Sequence, residues 1–229
     1  MNWNLSEIFE FLSLLLAIVF YRRLVPFKLH PFLLLLLLIC TIEICGGNSQ
    51  WFNKPWLNAH KNYILYNIGI LLTMPIHFWI FLNMLDFKQY VKTIYITVAV
   101  LVMLFVTINF FFLQGPFEYN VYSLIMTEFM KGVLCLMVIT KLFREDNYEI
   151  GISANPYFWI AGATLIYSVS AIVLFGLQKF IVTNKIQIDG KSIYRVIIPF
   201  VNVVLYSSYC YAFYLGKKLT TKTSIDINQ

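Results

Sequence analysis

The sequence predicts an all-α polytopic membrane bundle of about seven transmembrane helices, with the N-terminus outside and the C-terminus in the cytoplasm. Three observations predict it. Hydrophobic residues make up 60% of the 229 positions and charged residues 12%, about half the charge of a soluble domain, which leaves too little polar surface to face water. Apolar runs recur along the chain with Pro, Gly or charged residues between them. A spanning helix takes about 20 apolar residues, so seven spans with short connections account for the length. One membrane domain, residues 1–218, is expected, followed by a short polar cytoplasmic tail, 219–229.

The runs fall at about 7–24, 31–47, 63–85, 92–113, 119–141, 156–179 and 192–216. The first has no basic residue before Arg22, so it lacks the positive n-region of a cleaved signal peptide and is expected to remain as a helix. His30-Pro31 opens the second run and Gly46-Gly47 closes it. The third contains Pro75, a point where a helix bends unless neighbours satisfy the freed carbonyls. Gln114-Gly115-Pro116 separates the fourth from the fifth. Asn155-Pro156 opens the sixth, with Pro at the first turn, where its missing N–H costs little. The seventh contains Pro199. The connection from Asn48 to Asn62 carries Trp51, Phe52 and Trp56, amphipathic aromatics that favour the headgroup zone of the outer leaflet.

Orientation follows from the basic residues. With the N-terminus outside, Arg22, Arg23, Lys28, Lys88, Lys92, Lys141, Arg144, Lys217, Lys218 and Lys222 face the cytoplasm. Lys54, Lys61, Lys179, Lys185, Lys191 and Arg195 face outward. Ten against six has the sense of the positive-inside rule. The same placement, between apolar runs, turns the net charge of +6 into helix anchoring rather than nucleic-acid binding. Cys40, Cys45, Cys135 and Cys210 all lie inside apolar runs without metal-type spacing and read as small buried residues.

Ionisable residues within a span are costly and point to function. Glu43, His77, Glu128 and Lys131 qualify, whereas Glu10 and Arg195 lie near helix ends, where snorkelling accounts for them. At about 1.5 Å per residue, Glu128 lies roughly 13 Å below the outer start of its helix and Lys131 one turn deeper. Their i,i+3 spacing puts both on one face, able to pair; Thr127 and Cys135 extend the stripe. His77 follows Pro75 closely enough to cap a carbonyl that the proline frees. In the last span Arg195, Pro199, Asn202, Tyr206, Tyr209 and Phe213 recur at helical spacing, and Trp159, Ala163, Tyr167 and Ser170 form a similar stripe in the sixth. These faces could converge with Glu128 on a cavity, or could serve interhelical packing and hydrogen bonding.

Tyr122 to Phe143, with Glu128 inside and a basic end, together with Asn155-Pro156-Tyr157-Phe158-Trp159-Ile160 running to Ile166-Tyr167, resembles bacterial seven-helix membrane proteins of unassigned activity. These are similar to the membrane sensor modules of some histidine kinases. The resemblance implies a bacterial cytoplasmic membrane location and signalling through a separate partner protein, because the residues after Lys218 are too few for a transmitter. The apolar span from Ile193 to Leu215 lacks the lysine that would hold retinal, so no cofactor is expected. No Gly-x-Ser-x-Gly or His-Glu-x-x-His motif marks an enzyme. The expected function is a sensor that binds a small ligand from the outer side; a transporter or channel is the alternative, and a membrane enzyme with scattered catalytic groups the third. The lipid bilayer, a signalling partner or a second copy are the expected partners, and nucleic acid is not.

Reporter fusions or cysteine labelling are expected to place residue 229 in the cytoplasm and Trp51 outside. A periplasmic C-terminus would reverse every depth assigned above.

Overall fold

The computed structural model describes residues 5–47, 62–144, 151–188 and 190–226. Trp51, Phe52 and Trp56 lie outside the described residues. The chain is helical almost throughout: α1 (Leu5–Val19), α2 (Tyr21–Leu24), α3 (Pro31–Gly47), α4 (Tyr63–Leu85), α5 (Gln89–Ile108, continued by a π-turn over Asn109–Leu113), α6 (Val121–Arg144), α7 (Pro156–Gly176), α8 (Gln178–Thr183) and α9 (Ile193–Asp226). A small antiparallel hairpin, β1 (Gln187–Ile188) with β2 (Lys191–Ser192), precedes α9 and pairs Gln187 with Ser192.

Most boundaries follow local chemistry. Asn155 caps α7 by accepting the Tyr157 N–H at 2.9 Å, and Pro156 occupies the first turn. The π-turn arises where Asn109 is buried, its side-chain amide donating to Gln114 Oε1 at 3.0 Å and Ser123 Oγ at 2.7 Å. Its carbonyl accepts from Gln114 and Gly115, the widened pattern typical of π-bulges. At the end of α4, Lys141 donates to the Met84 and Leu85 carbonyls at 3.2 and 3.0 Å, satisfying groups that a helix terminus leaves open. The seventh predicted helix was expected to stop near 216, whereas α9 continues to Asp226.

Among the described residues, five helices are long and apolar enough to cross a membrane: Tyr63–Leu85, Gln89–Leu113, Val121–Arg144, Pro156–Gly176 and Val196–Gly216. Pro31–Gly46 is a shorter apolar helix, and α1 has 15 described residues. At about 1.5 Å per residue these two reach roughly 22–25 Å, short of a hydrocarbon core of about 30 Å.

The burial pattern is inverted relative to a water-soluble helix. In α1, Ser6, Glu10, Ser13 and Ala17 are buried, while Leu5, Ile8, Leu12, Leu15 and Ile18 are exposed. Small residues on the inner stripe let backbones approach closely, as in membrane bundles. Six helices close a ring: α1 packs on α3, α3 on α4, α4 on α6, α6 on α7, α7 on α9, and α9 back on α1. α5 stands outside the ring against α4 and, more lightly, α6.

The helices alternate in direction. Asn62 at the start of α4 donates to the Gly46 carbonyl at 2.6 Å, and Tyr194 near the start of α9 donates to Leu174 near the end of α7 at 2.9 Å. At the opposite end Tyr157 donates to the Phe27 carbonyl, and Gly216 lies against Leu24 and Phe27. A collar of rings marks the first end, running from Tyr63 to Tyr119 to Phe175 to Tyr194 with centroids 5.5–5.8 Å apart. The second end is a solid plug that includes Leu24, Leu29, Phe32, Leu36, Phe81, Met84 and Phe213, all fully or nearly fully buried.

Asn67, 2% exposed, ties α4 to the connection before α6. It donates to the Pro116 and Glu118 carbonyls at 3.1 and 2.6 Å and accepts from the Asn120 N–H at 3.0 Å. Asn67→Leu strands the buried Asn120 N–H and removes a donor from the Pro116 and Glu118 carbonyls, at about 1 kcal/mol or more for the buried group, so we expect a loss of a few degrees in Tm. Asn83→Leu, at an exposed bond to Lys28, should cost little. Equal losses in the two variants would show that Asn67 is not a structural clamp.

Candidate functional site

The ring encloses a cavity of about 180 Å³. It runs from Glu43, Tyr66 and Tyr119, near the aromatic collar, to His77, Lys131 and Tyr209 against the plug. From Tyr66 to His77 along α4 this is a depth of roughly 16 Å. Eight residues are the ligand-binding candidates of the sequence, namely Glu43, His77, Glu128, Lys131, Tyr167, Ser170, Asn202 and Tyr206, and all but one of them line this cavity. A smaller space of about 40 Å³ adjoins it, sharing His77, Glu128 and Lys131 and adding Thr127 and Met74.

Ser170 is the exception. Its hydroxyl donates to the Ile166 carbonyl of its own helix at 2.8 Å, and it is not among the cavity residues. The inward face of α7 is broader than the predicted stripe: Ala163 of that stripe is buried and Tyr167 lines the cavity, and Ile160, Thr164, Ser168 and Ala171 are buried beside them. Trp159 of the predicted stripe instead donates to the Ser153 carbonyl at 2.8 Å and packs edge-on against Tyr211.

The centre of the site is Glu128, 3% exposed. One carboxylate oxygen is in ion-pair contact with Lys131, and the other accepts from Ser168 Oγ at 2.8 Å. The Lys131 ammonium also lies 5.7 Å from the centre of the Tyr167 ring, within cation–π range. Both charges are therefore satisfied from two helices, α6 and α7. Across the cavity, Thr164 and Tyr209 share a hydrogen bond at 2.9 Å.

His77 does not cap a carbonyl freed by Pro75, which would be that of Leu71, four residues before the proline. Its Nδ1 faces the Thr73 carbonyl at 2.9 Å. A carbonyl only accepts, so Nδ1 carries the proton of that bond. At the collar end the Tyr66 hydroxyl donates to Glu43 Oε2 at 3.4 Å. Gly46 permits this approach: a Cβ there would stand 2.9 Å from the Tyr66 hydroxyl oxygen.

Glu10 is the residue the sequence reading missed. It was assigned to snorkelling near a helix end, yet it is 4% exposed, and its Oε1 has no hydrogen-bond partner among the described residues. The signal was present in the sequence, because Ser6, Glu10, Ser13 and Ala17 recur at spacings of 4, 3 and 4 and define the buried face of α1. Among the described residues no group of three His, Cys, Asp or Glu is placed to hold a metal ion.

No known protein family, curated protein or solved structure matches this chain. Function is therefore read from the cavity itself. Its walls carry five tyrosines (Tyr66, Tyr119, Tyr167, Tyr206 and Tyr209), and its formal charges are Glu43, Glu128 and Lys131. Glu128 is matched by Lys131, whereas Glu43 accepts from Tyr66 and has no basic partner at ion-pair distance among the described residues.

Breaking a buried ion pair by removing one partner costs about 3 kcal/mol or more, while removing both can be close to neutral. Glu128→Gln or Lys131→Met alone is expected to lower Tm markedly, and the double variant to recover much of the loss. Single variants with the Tm of the natural protein would show that the two side chains are not buried together.

Proposed function

We propose that this protein is a seven-span sensor of the bacterial cytoplasmic membrane that binds a small amine-bearing or polyhydroxy ligand in the ring cavity and signals through a separate partner protein. The N-terminus and the collar end lie outside, and the C-terminus lies in the cytoplasm. Seven crossings follow if α1 and α3, although short, span with the five longer helices; their alternation and their places in the ring support this. The basic residues Arg22, Arg23, Lys28, Lys88, Lys92, Lys141 and Arg144 gather toward the plug end, which supports the orientation.

One observation carries the ligand reading: the polar groups that membrane burial makes expensive converge on a single cavity closed at one end. A plugged cavity suits binding better than conduction. Tyrosine rings with an unmatched carboxyl suit a donor-rich or cationic ligand. A ligand that pulls Glu43 or Tyr66 against Glu128 would shift α4 relative to α6, and the α4–α6 contact extends to the cytoplasmic end through Lys141. One observation favours a transporter instead. Glu10 is a buried carboxyl with an unpartnered oxygen, the kind of group that carries a proton in coupled transport.

The discriminating experiment uses the purified protein in detergent and in vesicles. Small amines of the size of choline or putrescine, with polyols alongside, are expected to include ligands that raise Tm. Glu43→Gln should weaken the effective amines about tenfold, the worth of a hydrogen bond to a charged group. Net flux of the stabilising compound across proteoliposomes would replace the sensor with a transporter. No stabilisation by any compound in the panel would remove the ligand reading.

A further inference from the structure

α5 and α6 are held together at one end only. Near the collar, Asn109 bonds Ser123, and Gln114 accepts from the Tyr122 N–H. Farther along, Tyr95 donates to the Phe78 carbonyl of α4 at 2.8 Å, so α5 leans more on α4 than on α6. The buried residues of α5 are Val102 and Val106, both in its collar-side half. Toward the plug end the two helices enclose an open groove of about 770 Å³, larger than the ring cavity. Val91 on α5 and Val133, Leu136 and Met137 on α6 form exposed apolar walls.

The rim of this groove is basic. Lys88, Lys141 and Arg144 stand around its mouth with one acid, Asp86. Asp86 is already committed to Lys28 at 3.2 Å, and that ammonium holds its carboxyl below the usual carboxylate range. Lys141 is fixed in place by its bonds to the end of α4. Glu145 and Asp146, which follow Arg144, lie outside the described residues. The groove therefore pairs an apolar slot with a cationic mouth, at the level where a helix end meets the headgroup zone.

We propose that this groove is a binding site for an anionic phospholipid, with one acyl chain lying along Leu136 and Met137 and the headgroup phosphate at Lys88 and Arg144. An apolar ligand without charge would leave the rim unused, and a free phosphate would leave the walls uncovered. Only a molecule with both parts meets both surfaces, and basic pockets between membrane helices take anionic headgroups in this way. The site lies outside the ring and is independent of the ring ligand. It would tie α5 to α6 where the protein itself does not.

The test uses the full chain in a neutral detergent, where no leaflets exist and the result does not depend on topology. Phosphatidylglycerol, phosphatidylcholine and sodium phosphate are added separately, and Tm and bound lipid by native mass spectrometry are read. Phosphatidylglycerol is expected to raise Tm and to remain bound, with phosphatidylcholine and phosphate doing neither. The double variant Lys88→Gln, Arg144→Gln should weaken phosphatidylglycerol binding roughly tenfold or more, as expected for two charges at a membrane surface. Leu136→Trp, which fills the slot from an exposed position, should do the same while keeping the rim intact. Equal binding of phosphatidylcholine, an equal effect of phosphate, or full binding by the double variant would each overturn the proposal.

Discussion

The outside of this bundle is apolar, so most of its polar groups find their partners inside the chain. That constraint organises the rest. It explains why Ser6, Glu10 and Ser13 of α1 are buried while its leucines and isoleucines are exposed, and why many side-chain hydrogen bonds run to backbone carbonyls at helix ends and bends. Thr41, Thr73, Thr97, Thr107 and Thr140 each donate to the carbonyl four residues back, the standard way for threonine to disappear into an apolar helix. Asn67 and Asn109 do the corresponding work at the collar end, where the connection between α5 and α6 would otherwise expose several backbone groups to lipid.

The same constraint makes the ring cavity informative. Charges and hydroxyls with no structural duty would be replaced by apolar residues at little cost, yet the cavity collects Glu43, His77, Glu128, Lys131 and five tyrosines. Some of this is self-contained: the Glu128–Lys131–Ser168 set satisfies itself and stitches α6 to α7. Glu43 is different, because it has no basic partner at ion-pair distance among the described residues.

Much of this was legible in the sequence, for a physical reason. In a membrane a buried charge costs so much that Glu43, His77, Glu128 and Lys131 stood out from the apolar sequence, and all four line one cavity; the i,i+3 spacing of Glu128 and Lys131 matches their ion pair. Helix limits set by Asn155-Pro156 or Gln114-Gly115-Pro116 were equally readable, because they rest on local backbone chemistry. What could not be read was rotation. The inward face of α7 holds Ala163 and Tyr167 of the predicted stripe but extends to Thr164 and Ser168, which bond Tyr209 and Glu128, while Ser170 bonds its own helix; apolar residues on all sides of that helix leave its facing undetermined until its neighbours are placed. Glu10 lies near a helix end, where snorkelling would serve, but it shares the buried stripe of Ser6, Ser13 and Ala17, and that stripe sets which side faces in. The outlying position of α5 had no signal at all, since lipid-facing and protein-facing apolar surfaces have the same composition.

The ring is assembled in chain order, with α5 set aside, and it closes where α9 meets α1. The first and last helices are thus neighbours, as in proteins whose ends can be joined and reopened elsewhere. Here that rearrangement is forbidden. α1 runs toward the plug, and α9 also arrives there, its Gly216 against Leu24, so the start of one helix and the end of the other lie at opposite ends of the bundle. A circular version would have to thread its linker through the length of the molecule. Cutting the chain carries no such penalty. Two pieces severed at the connection between α6 and α7 would each keep one face of the long seam those helices share, with the Glu128–Ser168 bond on it, and would hold the means to find each other again.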